Sequence, residues 1–198
     1  GLSLLVVDDN SPDGTAKIVE SNFENYQNLY LIKREGKLGL GSAYIEGFKW
    51  FLNSNYSNCL QMDGDFSHSF NDLKGILDNI FNADLIIGSR YTDGGSTVGW
   101  SIERRLLSKY ANILSRTILR SKINDLTGGF NLLSREVVSE IINLEPSSNG
   151  YTFLMEVKNL IEKKGFKIKE VPITFVERES GKSKMNNQIV VEAIRFLL

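Results

Sequence analysis

Apolar residues arrive in this chain in two alternating patterns. Short runs, LSLLVV at 2–7, LYLIK at 29–33, NCLQM at 58–62 and ADLIIGS at 83–89, have the length and continuity of strands. LSLLVV reads as a buried parallel strand, whereas NCLQM is only weakly apolar. The segments between them read as helices. SPDGTAKIVESNF (11–23) offers Ser11 as an N-cap and Pro12 at the first helical position. Residues 39–52 place Ala43, Phe48 and Phe51/Leu52 among the apolar positions of a second helix, and 71–81 form a third. Strands separated by helices of roughly 10–15 residues predict βαβ units and a parallel sheet.

After residue 90 the rhythm changes. RYTDGGSTVGW (90–100) is a long glycine-rich loop, 101–120 a helix, and NDLTGGFNLLS (124–134) a turn-rich segment. Helices are expected at 135–143 and 152–164. FKIKEVPITFVE (166–177) alternates like a half-exposed strand, with Pro172 favouring an edge or a bulge. A polar, basic loop (178–188) and a last helix from about 188 complete the pattern. Ligands of such sheets sit beyond the carboxyl ends of the strands. Asp8/Asp9, Asp63/Asp65 and Arg90 each follow a strand, so all are expected to face one crevice.

Composition narrows the chemistry. The 198 residues are 41% hydrophobic and 24% charged, which suits one domain with a sizeable core. The formal net charge of −1 gives no reason to expect a nucleic-acid partner. A single cysteine, Cys59, excludes an internal disulfide and a cysteine-rich zinc site, and fits a reducing compartment. A single histidine, His68, argues against a His-based metal site. No run reaches the ~18–20 apolar residues of a membrane span. Both ends look cut: the chain opens on Gly1 inside a strand and stops inside an apolar helical pattern.

Four constellations carry chemistry. MDGDFS sets Asp63 and Asp65 around Gly64 at a strand end, an arrangement suited to a hard divalent cation that shares its shell with phosphate oxygens and water. The competing reading is a solvated turn. VVDDNSPDGT offers Asp9 to a base or ribose and Asp13 as an ordinary capping acid. KLGLGSAYIEG places glycines before a helix, as either a phosphate seat or, the favoured reading, a tight turn. The cations Arg90, Arg104, Arg105, Arg178, Lys182 and Lys184 are suited to phosphate, whereas Lys163, Lys164, Lys167 and Lys169 read as a solvated face. His68, Tyr91 and Trp100 read first as packing residues, and Glu156 stays open between a supporting carboxylate and an exposed helix position.

In order along the chain, VVDDNSPDGT, KLGLGSAYIEG, MDGDFSH, GSRY, DLTGGF, GYTFLMEV and EVPITFVERESGKSK resemble the dolichyl-phosphate (polyprenyl-phosphate) mannose synthases, a branch of the family 2 glycosyltransferases with the GT-A fold. The resemblance spans nearly the whole chain. It implies an α/β fold with a mostly parallel sheet flanked by helices, whose first strand lies ahead of Gly1. It implies one catalytic domain over 1–198, with a nucleotide-sugar half (1–90) and an acceptor half (91–198). The activity implied is inverting transfer of mannose from GDP-mannose to a polyprenyl phosphate with Mg²⁺ or Mn²⁺. Asp63, Asp65 and Ser67 match the metal positions. Val7, Asp9, Asp63, Gly64, Asp65, Arg90, Arg178 and Lys184 match donor positions. Arg104, beside Arg105, joins Lys184 on the acceptor phosphate, and Asp65, Arg90 and Arg178 match the catalytic set. A lipid acceptor implies a peripheral protein on the cytoplasmic face of a membrane, meeting it through loop 178–184 and the last helix. An anchoring subunit or a further C-terminal segment fits the same picture. Two alternatives remain: transfer of another sugar, such as glucose from UDP-glucose to undecaprenyl phosphate, and, remotely, a receiver-like signalling domain suggested by LLVVDDNSPD.

Overall fold

The computed structural model describes residues 1–146, 148, 150 and 152–177. The element order is β1 (Leu4–Asp8), α1 (Thr15–Glu20), β2 (Leu29–Lys33), α2 (Leu40–Leu52), β3 (Asn58–Gln61), α3 (Phe70–Leu77), β4 (Leu85–Ser89), β5 (Ser96–Val98), α4 (Ile102–Leu119), β6 (Asn131–Ser134), α5 (Arg135–Leu144), α6 (Thr152–Lys163), β7 (Ile168–Pro172) and β8 (Thr174–Val176). β1 pairs in parallel with β2, and a four-stranded sheet runs β3-β6-β4-β7. Within it β4 and β7 are parallel, while β6 runs antiparallel to both β3 and β4. β5 and β8 form a small parallel pair.

β4 is buried along its whole length, which explains its unbroken apolar run. Its side chains alternate between two layers. Leu85 and Ile87 enter a core built with Phe48, Phe51, Val137, Ile141, Phe153 and Ile161, from α2, α5 and α6. Ile86 faces the other way and packs with Ile76 of α3, Phe130, Leu132 and Val171. The sheet is therefore covered by helices on both faces.

Five sequence expectations change. β1 is parallel, as read, but only half-buried: Leu4 is largely exposed and Asp8 is its buried residue. α1 begins at Thr15 with Gly14 at its N-cap; Asp13, not Ser11, accepts from the Thr15 backbone N–H and hydroxyl. Ser11 instead donates its N–H to Asp8. α3 stops at Leu77, four residues early. The glycine-rich loop contains β5, and the turn-rich segment contains β6. The alternating segment near the C-terminus divides at Ile173 into β7 and β8, with Pro172 closing an edge strand. The loop and helix expected after residue 178 lie outside the described residues.

Candidate active site at the strand tips

Asp63 and Asp65 follow β3 in a short loop that ends at the N-cap of α3, Ser69. Asp65 accepts the Ser67 backbone N–H at 3.1 Å. Phe66 between them has φ 61° and is 91% exposed. A large side chain held in the left-handed region costs energy, so the surrounding loop must enforce it. Asn10, directly after Asp9, has φ 59°. Among the described residues, the other two non-glycine residues with positive φ, Arg120 and Glu145, are ordinary helix C-caps. Backbone strain outside helix ends thus falls beside the two acid-bearing tips.

His68 is buried, stacked on Phe130 at 4.5 Å and edge-on to Phe175 at 5.4 Å. Its Nε2 lies 3.7 Å from Asp63. Packing is therefore its main role, with the ring placed behind the loop acid. A Cβ at Gly129 would sit 3.3 Å from Asp63 Oδ1, a tight contact that would make the carboxylate shift by a few tenths of an ångström. A Cβ at Gly64 would meet nothing, so the loop tip is open.

Arg90 closes β4 and is locked to Asp125. Nε and a terminal guanidinium nitrogen each donate to the Asp125 carboxylate at 2.8 Å, and that nitrogen also reaches Thr127 Oγ1 at 2.8 Å. The guanidinium is ringed by Tyr91, Trp100 and Phe175 at 5.2–5.6 Å. Burial alone would raise the Asp125 carboxyl, but Arg90 beside it holds it well below the usual range. Burial also works against the Arg90 charge, yet Asp125 keeps it firmly protonated. Much of the Arg90 fork is thus committed within the protein.

Residues the sequence reading passed over build the support. Asp125 opens the loop that contains Gly128 and Gly129. Glu170 on β7 accepts the backbone N–H groups of Asn124 and Asp125. Lys158 of α6, buried, donates to the Asp125 and Gly128 carbonyls, both at 2.8 Å. Burial pulls its ammonium down to about 8, against the opposing pull of Asp125. From α4, Asn112 donates to Thr127 Oγ1 and accepts from the Leu126 N–H. These partners lie 14–46 residues apart in sequence; Asp125 and Glu170 fall within DLTGGF and EVPITFVERESGKSK, but nothing local pairs them with each other or with Lys158 and Asn112.

A second group lies at the tips of β1 and β2. Asp9 Oδ1 is 2.9 Å from a terminal nitrogen of Arg34, close enough for charge pairing although off the hydrogen-bond axis. Arg34, buried, also meets Glu46 at 3.0 Å and Ser42 at 2.6 Å. It follows β2 as Asp9 follows β1, a strand-end placement visible in the sequence but not used. Val7 packs toward α2 at Gly47. Arg104 pairs with Glu177 and lies 4.2 Å over the Trp100 ring, while Arg105 stays exposed. The N-terminal glycines of α2 serve packing: a Cβ at Gly41 would meet the Ser148 carbonyl at 2.6 Å and the Phe153 ring at 2.8 Å. Glu156 accepts from the Ser148 N–H. Arg178, Lys182 and Lys184 lie outside the described residues.

Asp63, His68, Arg90, Asp125 and Gly129 are thus gathered at one end of the four-stranded sheet, with Asp9 and Arg34 at the tips of β1 and β2. Glucosyl-3-phosphoglycerate synthase from Mycobacterium tuberculosis superposes with a TM-score of 0.65 at 14% identity, over 98% of this chain and 68% of that one. A second structure of it, with Mn²⁺ and UDP-glucose, gives the same score and identity over 98% and 65%. The fold is that of the GT-A nucleotide-sugar transferases. The Glycosyl transferase family 2 profile matches residues 2–142, and the chain belongs to that family as a glycosyltransferase. It is 42% identical over 193 residues to a polyprenol monophosphomannose synthase of Mycolicibacterium smegmatis, covering 96% of this chain and 73% of that protein. It is 38% identical over 191 residues to an undecaprenyl-phosphate mannosyltransferase of Micrococcus luteus, covering 96% and 79%.

Proposed function

We propose that this chain transfers mannose from GDP-mannose to a polyprenyl phosphate, as a single catalytic domain with a donor half (1–90) and an acceptor half (91–198). The observation that carries the reading is the match, along 96% of the chain, to relatives whose names both join mannose to a polyprenyl phosphate. The strand-tip acids supply the matching chemistry.

Asp63, Asp65 and Ser67 would hold a divalent cation, Mg²⁺ or Mn²⁺. The residues fit: the set is all oxygen, the loop tip is open, and Ser67 Oγ is buried with no hydrogen-bond partner among the described residues. No cluster of three or more acidic, histidine or cysteine side chains suited to a metal exists among the described residues. A site of two carboxylates suits a hard cation that completes its shell with diphosphate oxygens and water. When bound, the cation supplies charge neutralisation for the departing diphosphate.

The protein's own tasks follow. A phosphate monoester with second pKa about 6 is mostly a dianion at neutral pH, so its oxygen attacks the anomeric carbon without a strong base. The new C–O bond forms as the bond to GDP breaks from the opposite face, turning an α-linked donor into a β-linked product. Arg104, Arg178 and Lys184 hold acceptor or donor phosphates, Val7, Asp9 and Gly64 line the donor side, and Arg90, fixed by Asp125, adds a positive field at the reacting end. The lipid acceptor places the protein peripherally on a membrane, at its cytoplasmic face.

The deciding measurement is radiolabelled sugar transfer to polyprenyl phosphate, with GDP-mannose and UDP-glucose compared as donors. Transfer should require GDP-mannose and added Mg²⁺ or Mn²⁺, and chelator should abolish it. Asp65→Ala should lose at least about 10²-fold in rate with an unchanged melting temperature. Wild-type rates in that variant would discard the metal assignment, and preference for UDP-glucose would discard the donor.

A further inference from the structure

Lys158 is a buried charge with no part in the proposed chemistry. It is 2% exposed, on a helix whose other buried positions include Phe153, Leu154, Met155, Val157 and Ile161. Taking an ammonium out of water is unfavourable, and a well-packed apolar residue at that position would leave α6 at least as stable. Fold stability therefore does not account for a lysine there.

Its contacts do. Two of its N–H donors reach one turn that lies 30 and 33 residues earlier in the chain: the Gly128 and Asp125 carbonyls, each at 2.8 Å. The same turn is closed by Asp125 itself, whose carboxylate accepts the Gly128 N–H at 2.9 Å. Lys158 thus ties both ends of the turn 125–128 to a helix anchored in the core. Glu170 holds the Asn124 and Asp125 N–H groups and Asn112 the Leu126 N–H. These holds do not depend on the ammonium, so without it the loop should shift rather than unfold.

The turn faces the site at two places. The Asp125 carboxylate fixes Arg90. Beyond Gly128 the chain enters Gly129. A peptide unit is planar, so fixing the Gly128 carbonyl fixes the plane that ends at the Gly129 nitrogen. A Cβ at Gly129 would lie 3.3 Å from Asp63 Oδ1, so this backbone stands close behind that acid. Asp63 in turn adds to the field that keeps Arg90 charged.

We infer that Lys158 is a positioning residue for the transfer reaction: by holding the Asp125 and Gly128 carbonyls it sets the turn that seats Asp63 and Arg90, and so how firmly the site takes a divalent cation with a diphosphate. The inference rests on the reaction proposed above and adds a residue that acts on it through the backbone. A misplacement of about 1 Å at a reacting end lowers a rate on the order of 10²-fold.

The test uses the whole chain and three variants. Lys158→Met keeps the length and removes the donors, Lys158→Gln returns an amide donor, and Ile161→Ala loosens the same helix without touching the turn. Three quantities are measured: kcat with GDP-mannose and polyprenyl phosphate, Mn²⁺ affinity in the presence of GDP from the electron paramagnetic resonance of the free ion, and melting temperature. Lys158→Met should lose about tenfold or more in kcat and bind Mn²⁺ at least about threefold more weakly. Lys158→Gln should recover part of both. Ile161→Ala should melt earlier, yet keep kcat and Mn²⁺ affinity within about twofold. Wild-type kcat and Mn²⁺ affinity in Lys158→Met would overturn the inference. So would equal losses in Ile161→Ala, which would trace them to a loosened core, or a slower rate with Mn²⁺ affinity unchanged, which would separate the turn from Asp63. Where Lys158→Met does not fold, Lys158→Gln is judged by the same two readings against Ile161→Ala. Wild type that binds no Mn²⁺ with GDP would sink the metal reading of Asp63 and Asp65 itself, and this inference with it; a failure confined to the variants leaves that reading intact.

Discussion

Asp125 is the residue on which most of the site depends. It is fully buried, accepts both arms of Arg90 and the Gly128 N–H, and sits above Lys158. Asp125→Asn would leave a buried guanidinium without its counter-charge. Urea unfolding should show a loss of about 3–5 kcal/mol, while the double variant Asp125→Leu/Arg90→Met should lose less than the sum of the single changes. Additive losses would mean the pair contributes nothing as a pair. The acids Asp63 and Asp65 were legible from the sequence because their strand ends where they begin. Asp125, Lys158 and Glu170 were not, because their meaning lies in partners from other elements. Lys158 sits among buried residues of α6, and its ammonium is spent on two backbone carbonyls that no local pattern points to.

Among elements, α2 and α6 show how closely the scaffold is set. Gly41 in the first turn of α2 lies against Phe153 and the Ser148 carbonyl. Gly41→Ala gains helix propensity in isolation, but here the methyl has no space. The net effect should be a loss of about 1–3 kcal/mol in chemical denaturation, and a gain would show that the two helices part readily. Most helices were readable because their apolar spacing is strong; α1 was displaced because Asp13 and Gly14 outcompete Ser11 and Pro12 in fixing its start. β5 and β6 were missed for a different reason. β5 is three residues between glycines and β6 four residues that run straight into α5; such short stretches carry too few positions to show alternation, and their pairing partners define them.

For the molecule as a whole, pH links the support network to stability. Lys158 has a folded pKa of about 8, below the ordinary value near 10.4, so the unfolded chain binds more protons between these limits and stability rises with pH there. Asp125, Arg90 and Glu170 face it. Cys59, which burial pushes up to about 12, acts in the opposite sense: above its ordinary value near 8.5 the folded chain keeps a proton the unfolded one loses. Denaturation midpoints from pH 8 to 10 should therefore climb more steeply in Cys59→Ala than in wild type, and flatten or fall in Lys158→Met. Identical slopes in all three would remove Lys158 from the balance. The α/β class and the strand-tip location were legible because alternation of strand and helix is a long-range pattern written locally. The reversed sense of β6 was not. That reversal settles which rim of the sheet receives residues 125–130. A strand laid parallel to its neighbours would have delivered this loop to the opposite rim, roughly 10 Å away across four residues, out of reach of both Arg90 and Asp63. One strand's direction of travel thus decides whether residues 125–130 share a workplace with Arg90 and Asp63.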